Sequence, residues 1–458
     1  MNMQNKKDYC NNMKVHMVSL GCARNQIDSE VMLGALKLSG CIIAPEPDEA
    51  ETIVINTCGF IESAVNESID TILELVKFKK IGLCKRIVVA GCLPERFRED
   101  ILSSLPEVDV FIGTGAYDKI LQAVQYNGGN QKCFLPPPFA APLQTSKNPR
   151  VLNLDHLAYV RVSEGCSRHC TYCIIPKLRG KQKSRPLEDI ISEVHLLVMS
   201  GVKEIILVAQ DTTAYGRDLN PQVPFSILLE NISSVLPDDV WIRMLYGHPE
   251  SIDESVLETV EAHKNICSYF DIPVQHVSSK ILKRMGRGYS KDDLYRLFHK
   301  IRAYVPGAAI RTTLITGFPG ETPMDFEELV EFVNEINFDS LGVFIYSDFK
   351  DLPSHKLSGH VPKEVAKNRS DIIMSRQMEI SSKKNSNYIG EVLNVLVEEA
   401  HGDNIYICRT YFQAPEVDGI TYVNSSSYLQ TGSFARVKID DALEYDLIGK
   451  TDKSGSKK

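Results

Sequence analysis

The sequence predicts an α/β protein in three successive parts: a doubly wound parallel sheet, a partial (β/α)6 barrel and a small antiparallel β-barrel. Short apolar runs alternate with amphipathic helical stretches from Val15 to about residue 130 and again from Ala158 to Tyr346, which predicts the first two parts. After Gly390 short β runs are divided by Gly, Asp and Asn, which predicts the third. We expect domains at 12–130, 152–386 and 387–450, a linker at 131–151 and a disordered tail at 451–458.

The bulk composition excludes several classes of protein. A chain of 458 residues with 43% hydrophobic and 24% charged residues is typical of a globular protein. Met1–Lys14 has no apolar core of a secretory signal, and no run of 18 or more apolar residues predicts a membrane span. Twelve cysteines are too sparse for a disulfide scaffold. We therefore expect a reducing, cytoplasmic location and no membrane partner.

The first part alternates strand and helix. Its strands are predicted at Val15–Leu20, Thr52–Asn56, Arg86–Ala90 and Val108–Ile112. Its helices are predicted at Asp28–Leu38 and about Glu62–Phe78. Pro136–Pro149 is too rich in proline to continue either element, and this predicts a linker.

The second part repeats the alternation with longer spacing. Its strands are predicted at Ala158–Val162, Glu204–Ala209, Trp241–Leu245, Tyr269–Val274, Ala309–Ile315 and Leu341–Tyr346. Helical patterns between them include Leu187–Met199 and Asp325–Ile336. Six β/α units are too few for a closed eight-stranded barrel, so we expect an open, partial one. A long polar helix is predicted at Pro362–Asn387.

The third part is a small acidic module. Its strands are predicted at Val392–Val397, Ile405–Cys408, Thr421–Val423 and Ala435–Ile439. Between Glu391 and Lys450 ten residues are Asp or Glu and four are Lys or Arg, which gives a net charge of −6. A module that binds the phosphate backbone of a nucleic acid should be basic. We therefore expect no direct nucleic-acid specificity and a basic protein as partner. A solvated acidic face without a binding role is the alternative.

Three cysteines lie close together just after the first strand of the second part. Cys166, Cys170 and Cys173 form a C-x3-C-x2-C run within Glu164–Pro176. Three thiolates suit a thiophilic metal centre, and three ligands leave one metal position for a non-protein ligand. The alternatives are a zinc knuckle and a chance cluster. No downstream C-x2-C or H-x3-H pair completes a zinc site, and His169 is poorly placed to do so.

A second cysteine set follows the strands of the first part. Cys22, Cys58 and Cys92 come directly after the first, second and third strands, each beside a glycine. The carboxyl ends of parallel strands share one edge, so these thiols can converge there. Three buried small side chains are the alternative. The remaining cysteines share no such placement and are expected to be ordinary residues: Cys10, Cys41, Cys84, Cys133, Cys267 and Cys408.

The C-x3-C-x2-C run, with Tyr172 before its last cysteine, resembles the radical S-adenosylmethionine (radical SAM) signature. The three parts together resemble the methylthiotransferase family over about Val15 to Lys450. Within it, several stretches resemble the branch that modifies ribosomal protein S-twelve: Ser19–Glu30, Val208–Gly216, Cys173–Pro176, Asp271–His276 and Arg311–Glu321. Tyr346–Pro353 departs from the Glu-Glu-Gly-Thr loop usual in that branch, while Met285–Gly288 favours neither branch.

The resemblance implies a fold, cofactors and a reaction. The third part is expected to be a TRAM-like barrel. Cys166, Cys170 and Cys173 would hold a 4Fe–4S cluster that splits S-adenosylmethionine to a deoxyadenosyl radical. Cys22, Cys58 and Cys92 would hold an auxiliary 4Fe–4S cluster whose sulfur a second S-adenosylmethionine methylates. The methylthio group would then reach the β-carbon of an aspartate in ribosomal protein S-twelve. An electron donor such as flavodoxin or ferredoxin is implied.

The resemblance assigns supporting roles but no catalytic residue beyond the cluster ligands. Tyr172 is expected near the adenine, or as a core aromatic. Gly317 and Glu321 are expected to line the adenosyl pocket, or to form a Gly-Pro turn. Gln210 and Gln275, at strand ends, are expected to contact a cofactor. Arg179 and Arg185 could pair with the cofactor carboxylate, although a solvated basic loop is the expected arrangement.

Three other functions remain open. A tRNA adenosine methylthiotransferase is the nearest, and the acidic third part and the Ala-Gln-Asp stretch at Ala209–Asp211 disfavour it. A radical SAM enzyme with one cluster would leave the N-terminal cysteines idle. A non-enzymatic iron–sulfur sensor or electron carrier would not cleave S-adenosylmethionine.

Overall fold

A computed structural model describes residues 12–140 and 143–452, so Cys10 and residues 453–458 of the expected tail lie outside the described residues. The chain divides into two compact units. The first runs to Asn153 and adds Arg161–Arg168 and Cys173–Glu193. The second holds Leu154–Val160, His169–Tyr172 and the chain from Val194 onward. Over the described part of the chain, no helix combines the length and the apolar character needed to cross a membrane.

The first unit is built on a parallel sheet with the strand order β2-β1-β3-β4-β5-β6. Its strands are β1 (Lys14–Ser19), β2 (Ile42–Ile43), β3 (Thr52–Thr57), β4 (Arg86–Gly91), β5 (Val110–Ile112) and β6 (Lys132–Phe134). The order reverses between β1 and β3, which confirms the predicted doubly wound sheet. Ligands of such sheets bind outside the carboxyl ends of the strands at this switch point.

Apolar side chains of alternate strand residues form a core on each face of this sheet. Ile53 and Ile55 belong to one core, and Val54 belongs to the other. The strands are therefore buried on both faces, as is typical of parallel sheets. The helices of this region are α1 (Ala23–Leu38), α2 (Glu62–Val76), α3 (Phe78–Ile81), α4 (Cys92–Phe97), α5 (Asp100–Ser104) and α6 (Ile120–Val124).

The central region has two sheets with the strand orders β11-β10-β7 and β12-β13-β14. Its long strands are β7 (Leu157–Arg161), β10 (Glu204–Val208), β11 (Trp241–Met244), β12 (Tyr269–Asp271), β13 (Ala309–Thr316) and β14 (Ser340–Ile345). The main-chain N–H of Cys267, just before β12, donates to the carbonyl of Ile242 in β11 at 2.8 Å. The strands thus follow one another in chain order, which confirms the predicted open β/α arrangement.

Helices lie between the central strands, and one long helix follows the last of them. They are α7 (Ile175–Arg179), α8 (Leu187–Met199), α9 (Phe225–Val235), α10 (Glu254–Ala262), α11 (Ser279–Arg284), α12 (Lys291–Tyr304), α13 (Pro323–Ile336) and the long α14 (Lys363–Ser386). Short strands β8 (Ser163–Glu164) and β9 (Lys183–Ser184) pair antiparallel in the first unit, beside the cysteine loop.

The C-terminal strands close into a barrel in the order β15-β16-β17-β19-β18, as predicted. They are β15 (Val392–Ala400), β16 (Ile405–Thr410), β17 (Thr421–Asn424), β18 (Phe434–Ala442) and β19 (Leu447–Thr451). The sequence prediction missed β19, whose pairing with β17 is parallel whereas the other pairs of the barrel are antiparallel.

Within the second unit the barrel packs against the amino ends of the central strands. Trp241, the first residue of β11, packs edge-on against Phe434 with a 4.8 Å centroid distance. Arg409 donates to Glu204, the first residue of β10, at 2.5 Å. The opposite, carboxyl ends of β10 and β13 lead into Gln210 and Gly317.

Candidate functional site

The second cysteine set lies at one edge of the sheet of the first unit. Cys22 follows β1 and is the residue before α1, Cys58 directly follows β3, and Cys92 is the first residue of α4 after β4. Because these three strands are parallel neighbours, their carboxyl ends share an edge. Cys22 and Cys58 also flank the switch point between β1 and β3. The sheet therefore assembles a site that sequence spacing alone does not show.

Glycines bring the three turns into contact. A Cβ on Gly21 would lie 2.9 Å from Cβ of Cys58 and 3.3 Å from its Sγ. A Cβ on Gly59 would lie 2.9 Å from the carbonyl carbon of Cys92. No other residue fits there without a shift of the backbone or of a cysteine.

The three thiols interact electrostatically with one another. Burial, together with the neighbouring Cys92 and Cys22, raises the pKa of Cys58 to about 12. Burial also raises the pKa of Cys92, although Arg179 opposes this shift. At Cys22 burial is outweighed by Arg24, Arg179 and main-chain N–H donors, so its pKa is lowered. Three thiolates here repel one another, so a positively charged metal centre is what would keep all three deprotonated.

A buried polar network borders Cys92. Arg179 donates to Oδ1 of Asn25 at 2.7 Å and to Oδ2 of Asp28 at 2.8 Å. Its Nη2 also lies 3.6 Å from Sγ of Cys92 and 3.5 Å from the hydroxyl of Tyr117. The expected solvated basic loop is therefore wrong at Arg179.

The same correction applies to Arg185. Its side chain is 1% exposed and pairs with Asp189 at 2.6 Å and Glu193 at 2.5 Å. Asp189 and Glu193 belong to α8, and the guanidinium of Arg185 also donates to the carbonyl of Arg161 at 2.8 Å, so the folded chain buries a side chain that the basic run Lys181–Arg185 places in a solvated loop.

The donor set of three thiols suits an iron–sulfur cluster. Among residues 12–140 and 143–452, no group of three or more His, Cys, Asp or Glu side chains is arranged to hold one metal ion. Three cysteines, held at one edge by glycine-lined turns, match the thiolate ligation of such clusters.

The C-x3-C-x2-C loop is divided between the two units. Cys166 and Cys173 belong to the first and Cys170 to the second, and all three are half-buried. In the first unit the N–H of Cys166 donates to the carbonyl of Gly180 at 3.0 Å. A Cβ on Gly165 would lie 2.3 Å from the carbonyl oxygen of Lys181, so a glycine is required beside this cysteine.

In the second unit the stretch Met285–Gly288 clamps the segment around Cys170. The N–H and hydroxyl of Thr171 donate to the carbonyls of Met285 and Arg284 at 3.0 and 2.9 Å. A Cβ on Gly286 would lie 2.7 Å from the carbonyl oxygen of His169. The sequence prediction gave this stretch no role, although its two glycines on either side of an arginine could have indicated a close approach of the backbone.

Arg287 from this stretch fixes the predicted adenine-side residue Tyr172. Nε and Nη2 of Arg287 donate to the hydroxyl of Tyr172 at 3.1 and 2.5 Å. Tyr172 also packs edge-on against Phe318 at a centroid distance of 6.2 Å. Burial lowers the pKa of Arg287, but the neighbouring Tyr172, Tyr289 and Cys170 outweigh it and raise the pKa above its ordinary value.

Gly317 and Glu321 lie in the same neighbourhood. Glu321 accepts hydrogen bonds from the N–H groups of Gly317 and Phe318 at 2.5 and 3.0 Å and from Arg369 at 2.9 Å. Burial raises the pKa of Glu321. A Cβ on Gly317 would lie 2.3 Å from Cβ of Ala366 in α14, so packing of that helix requires this glycine. Lining of an adenosyl pocket by these residues stays a prediction.

Gln210 and Gln275 lie beyond β10 and β12, as predicted. Gln275 has a φ of +70°, a left-handed conformation that is strained for a non-glycine residue. Its main chain bonds to β13 on both sides, with Thr313 at 2.8 Å and Ile315 at 2.7 Å. Tyr246, beyond β11, has a φ of +62° and was missed because strain leaves no sequence pattern. Contact of either glutamine with a cofactor stays a prediction.

Three family models match the chain in succession. The Uncharacterized protein family UPF0004 matches residues 14–113, the Radical SAM superfamily matches 160–333 and the TRAM domain matches 389–451.

Full-length relatives also match. The ribosomal protein uS12 methylthiotransferase RimO of Desulfosudis oleivorans is 48% identical over 95% of this chain and 99% of its own length. The protein of the same name from Clostridioides difficile is 45% identical over 95% of this chain and 98% of its own length.

Solved structures share the fold. The radical S-adenosylmethionine methyltransferase TsrM from Kitasatospora setae, solved with cobalamin and a [4Fe-4S] cluster, has a TM-score of 0.55 and 15% identity. The match covers 73% of this chain and 75% of TsrM. At this identity the likeness concerns the fold alone.

Proposed function

Since the chain belongs to the family of ribosomal protein uS12 methylthiotransferases, we propose that it attaches a methylthio group to the β-carbon of an aspartate in this basic ribosomal protein, S-twelve. It is a radical SAM enzyme. The observation that carries the proposal is the 48% identity to such an enzyme over 95% of the chain.

Two cysteine sets would hold two 4Fe–4S clusters. Cys166, Cys170 and Cys173 would bind the one that chelates S-adenosylmethionine, and Cys22, Cys58 and Cys92 would bind the auxiliary one. When bound, these cofactors supply radical chemistry and a sulfur-carrying iron, since an unactivated C–H bond offers no acidic proton to a side-chain base. A flavodoxin or ferredoxin is the proposed electron donor.

The surrounding residues position and shield these cofactors. Arg287 and Tyr172 hold the Cys170 segment, while Gly21 and Gly59 let the auxiliary turns approach one another. Burial of Cys92 keeps water from its thiol. No acid or base is assigned to the reaction.

The charge of the barrel supports a protein substrate rather than RNA. Of its ten acidic residues, Asp440, Asp441 and Glu444 are exposed along β18 and the turn after it. A module with a net charge of −6 repels phosphates and attracts a basic ribosomal protein.

Deleting the gene and analysing the cell's ribosomes and tRNA by mass spectrometry tests the substrate. We expect uS12 to lose the mass of one methylthio substituent while the methylthio nucleosides of tRNA persist. A uS12 that keeps the substituent, or tRNA that loses it, would contradict the proposal.

Iron analysis after anaerobic reconstitution tests the two clusters. About eight irons per chain are expected, and about four after Cys22, Cys58 and Cys92 are replaced by Ala. Replacing Cys41, Cys84 and Cys267 by Ser is the control, because these buried cysteines belong to neither set, and about eight irons should remain. About four irons in the unaltered chain would indicate a single-cluster enzyme.

A further inference from the structure

We infer that Arg179 is a positioning residue of the auxiliary centre: it hydrogen-bonds the Cys92 ligand and raises the reduction potential of the cluster held there. The inference rests on the proposed cluster at Cys22, Cys58 and Cys92, and concerns one residue outside both cysteine sets.

Arg179 lies just after the loop that carries Cys166, Cys170 and Cys173. Arg179 ends α7, six positions after Cys173, and the next residue, Gly180, has a φ of +75°. The side chain of Arg179 is only 4% exposed, and its Nη2 lies 3.6 Å from Sγ of Cys92. One short segment of the first unit therefore carries a ligand for one cluster and a donor to a ligand of the other.

Two acceptors and an aromatic ring fix the orientation of the guanidinium. Nη1 of Arg179 donates to Asp28 at 2.8 Å. Nη2 donates to Asn25 at 2.7 Å and to Sγ of Cys92. The guanidinium carbon lies 5.9 Å from the ring centre of Tyr117. Since Asp28 and Asn25 both belong to α1, that helix aims Nη2 at the thiol.

Neighbouring charges keep Arg179 in place. Asp28 also pairs with Arg161 at 2.5 Å, and Glu164 lies 2.7 Å from Arg161 and 3.6 Å from Arg179. Two buried arginines thus pair with the buried Asp28 and the half-buried Glu164. A fixed cation at a cluster thiolate favours the more negative, reduced state, and a hydrogen bond to the sulfur acts in the same direction.

The test uses the full chain with Cys166, Cys170 and Cys173 replaced by Ala, so that only the auxiliary cluster is present. Its midpoint potential is measured by redox titration followed by electron paramagnetic resonance. Arg179→Gln is expected to shift the potential to more negative values. Arg185→Gln is the matched control: this arginine is equally buried on the same segment, but it pairs with Asp189 and Glu193 and should leave the potential unchanged.

An unchanged potential in Arg179→Gln, or an equal shift in Arg185→Gln, would overturn the inference. Absence of iron from the background protein would instead contradict the proposed cluster itself. If Arg179→Gln does not fold or does not take up the cluster, a second measurement tests the inference on the background protein, grown with isotopically labelled arginine. Pulsed resonance on its reduced cluster should detect a weakly coupled arginine nitrogen, and the absence of that coupling would refute the inference.

Discussion

Arg287 links two sequence-distant segments through a single side chain. It is half-buried, it donates twice to the hydroxyl of Tyr172, and its Nη1 contacts Nε2 of His248. Tyr172 is 115 positions away in the chain and lies between two of the proposed cluster ligands. The arginine therefore connects the cysteine loop to the segment after α11.

Replacing Arg287 by Gln is expected to lower the melting temperature and to slow the reductive cleavage of S-adenosylmethionine. Removing a half-buried charged donor that makes two hydrogen bonds costs about 1–3 kcal/mol, and a looser Tyr172 segment holds Cys170 less firmly. Calorimetry and chromatography of the cleavage products measure the two effects. Arg296→Gln is the control, because this side chain is 74% exposed and its loss should change stability by less than about 0.5 kcal/mol. Equal behaviour of the two variants would contradict the assignment.

Single residues differ in how far sequence reveals them. The cysteines could be proposed as ligands because C-x3-C-x2-C is a local spacing and because Cys22, Cys58 and Cys92 each follow a predicted strand. Arg179 and Arg287 could not be found in this way. Their partners Asp28 and Tyr172 lie 151 and 115 positions away, so only the folded chain shows the pairing.

At the scale of elements, the turns after β1, β3 and β4 approach one another closely because glycines in them have no side chain. Gly59→Ala would place a Cβ 2.9 Å from both the carbonyl carbon and oxygen of Cys92. Such overpacking costs about 1–3 kcal/mol, and it pushes the α4 turn away from the Cys58 turn. We expect a lower melting temperature and a loss of auxiliary-cluster iron.

The matched control for Gly59→Ala is Gly129→Ala. A Cβ on Gly129 meets nothing within 4 Å, so iron content and melting temperature should stay at the parent values. Full iron loading in Gly59→Ala would show that these turns need no close approach to hold the cluster.

Element boundaries show where local signals were weak. The first helix begins at Ala23 rather than at the predicted Asp28, because its N-cap is Cys22, which makes no side-chain capping bond. The strands β2 and β6 have two and three residues, too few for a periodic pattern. The strand β19 carries Gly449 and Lys450 at its centre and lacks the apolar run that marked its neighbours.

At the scale of the whole chain, the succession of three architectures was predictable because each has its own periodicity. The docking of the barrel within the second unit was not. It depends on buried charges from three places: Glu204 on β10, Arg243 on β11 and Arg409 on β16. Glu204 accepts from Arg243 at 2.6 Å and from Arg409 at 2.5 Å, and all three side chains are at most 1% exposed. Sequence patterning predicts charged residues at the surface, so this cluster carried no signal.

This cluster predicts a pH-dependent stability. Burial raises the pKa of Glu204, but Arg409 and Arg243 outweigh it and hold the pKa at about 2, below the ordinary 4.5. A carboxyl whose folded pKa is lowered stabilises the fold fully above its unfolded pKa, and this stability is lost as pH falls towards the folded pKa. The contribution should therefore be constant from pH 7 to about 5 and decline between about 4.5 and 2.

Glu204→Gln removes this contribution, because two buried arginines lose their shared anion. Breaking a buried ion pair costs about 3–5 kcal/mol, so the apoprotein variant should melt well below the parent at pH 7. The gap between the two melting temperatures, measured by calorimetry at one scan rate, should narrow as pH falls from 5 to 3.5. Glu254→Gln is the control, since this carboxylate pairs with Lys300 in solvent and its loss should leave a small gap at every pH. A gap for Glu204→Gln as wide at pH 3.5 as at pH 7 would show that Glu204 is not the anion that holds Arg409, and with it the barrel, against the central strands.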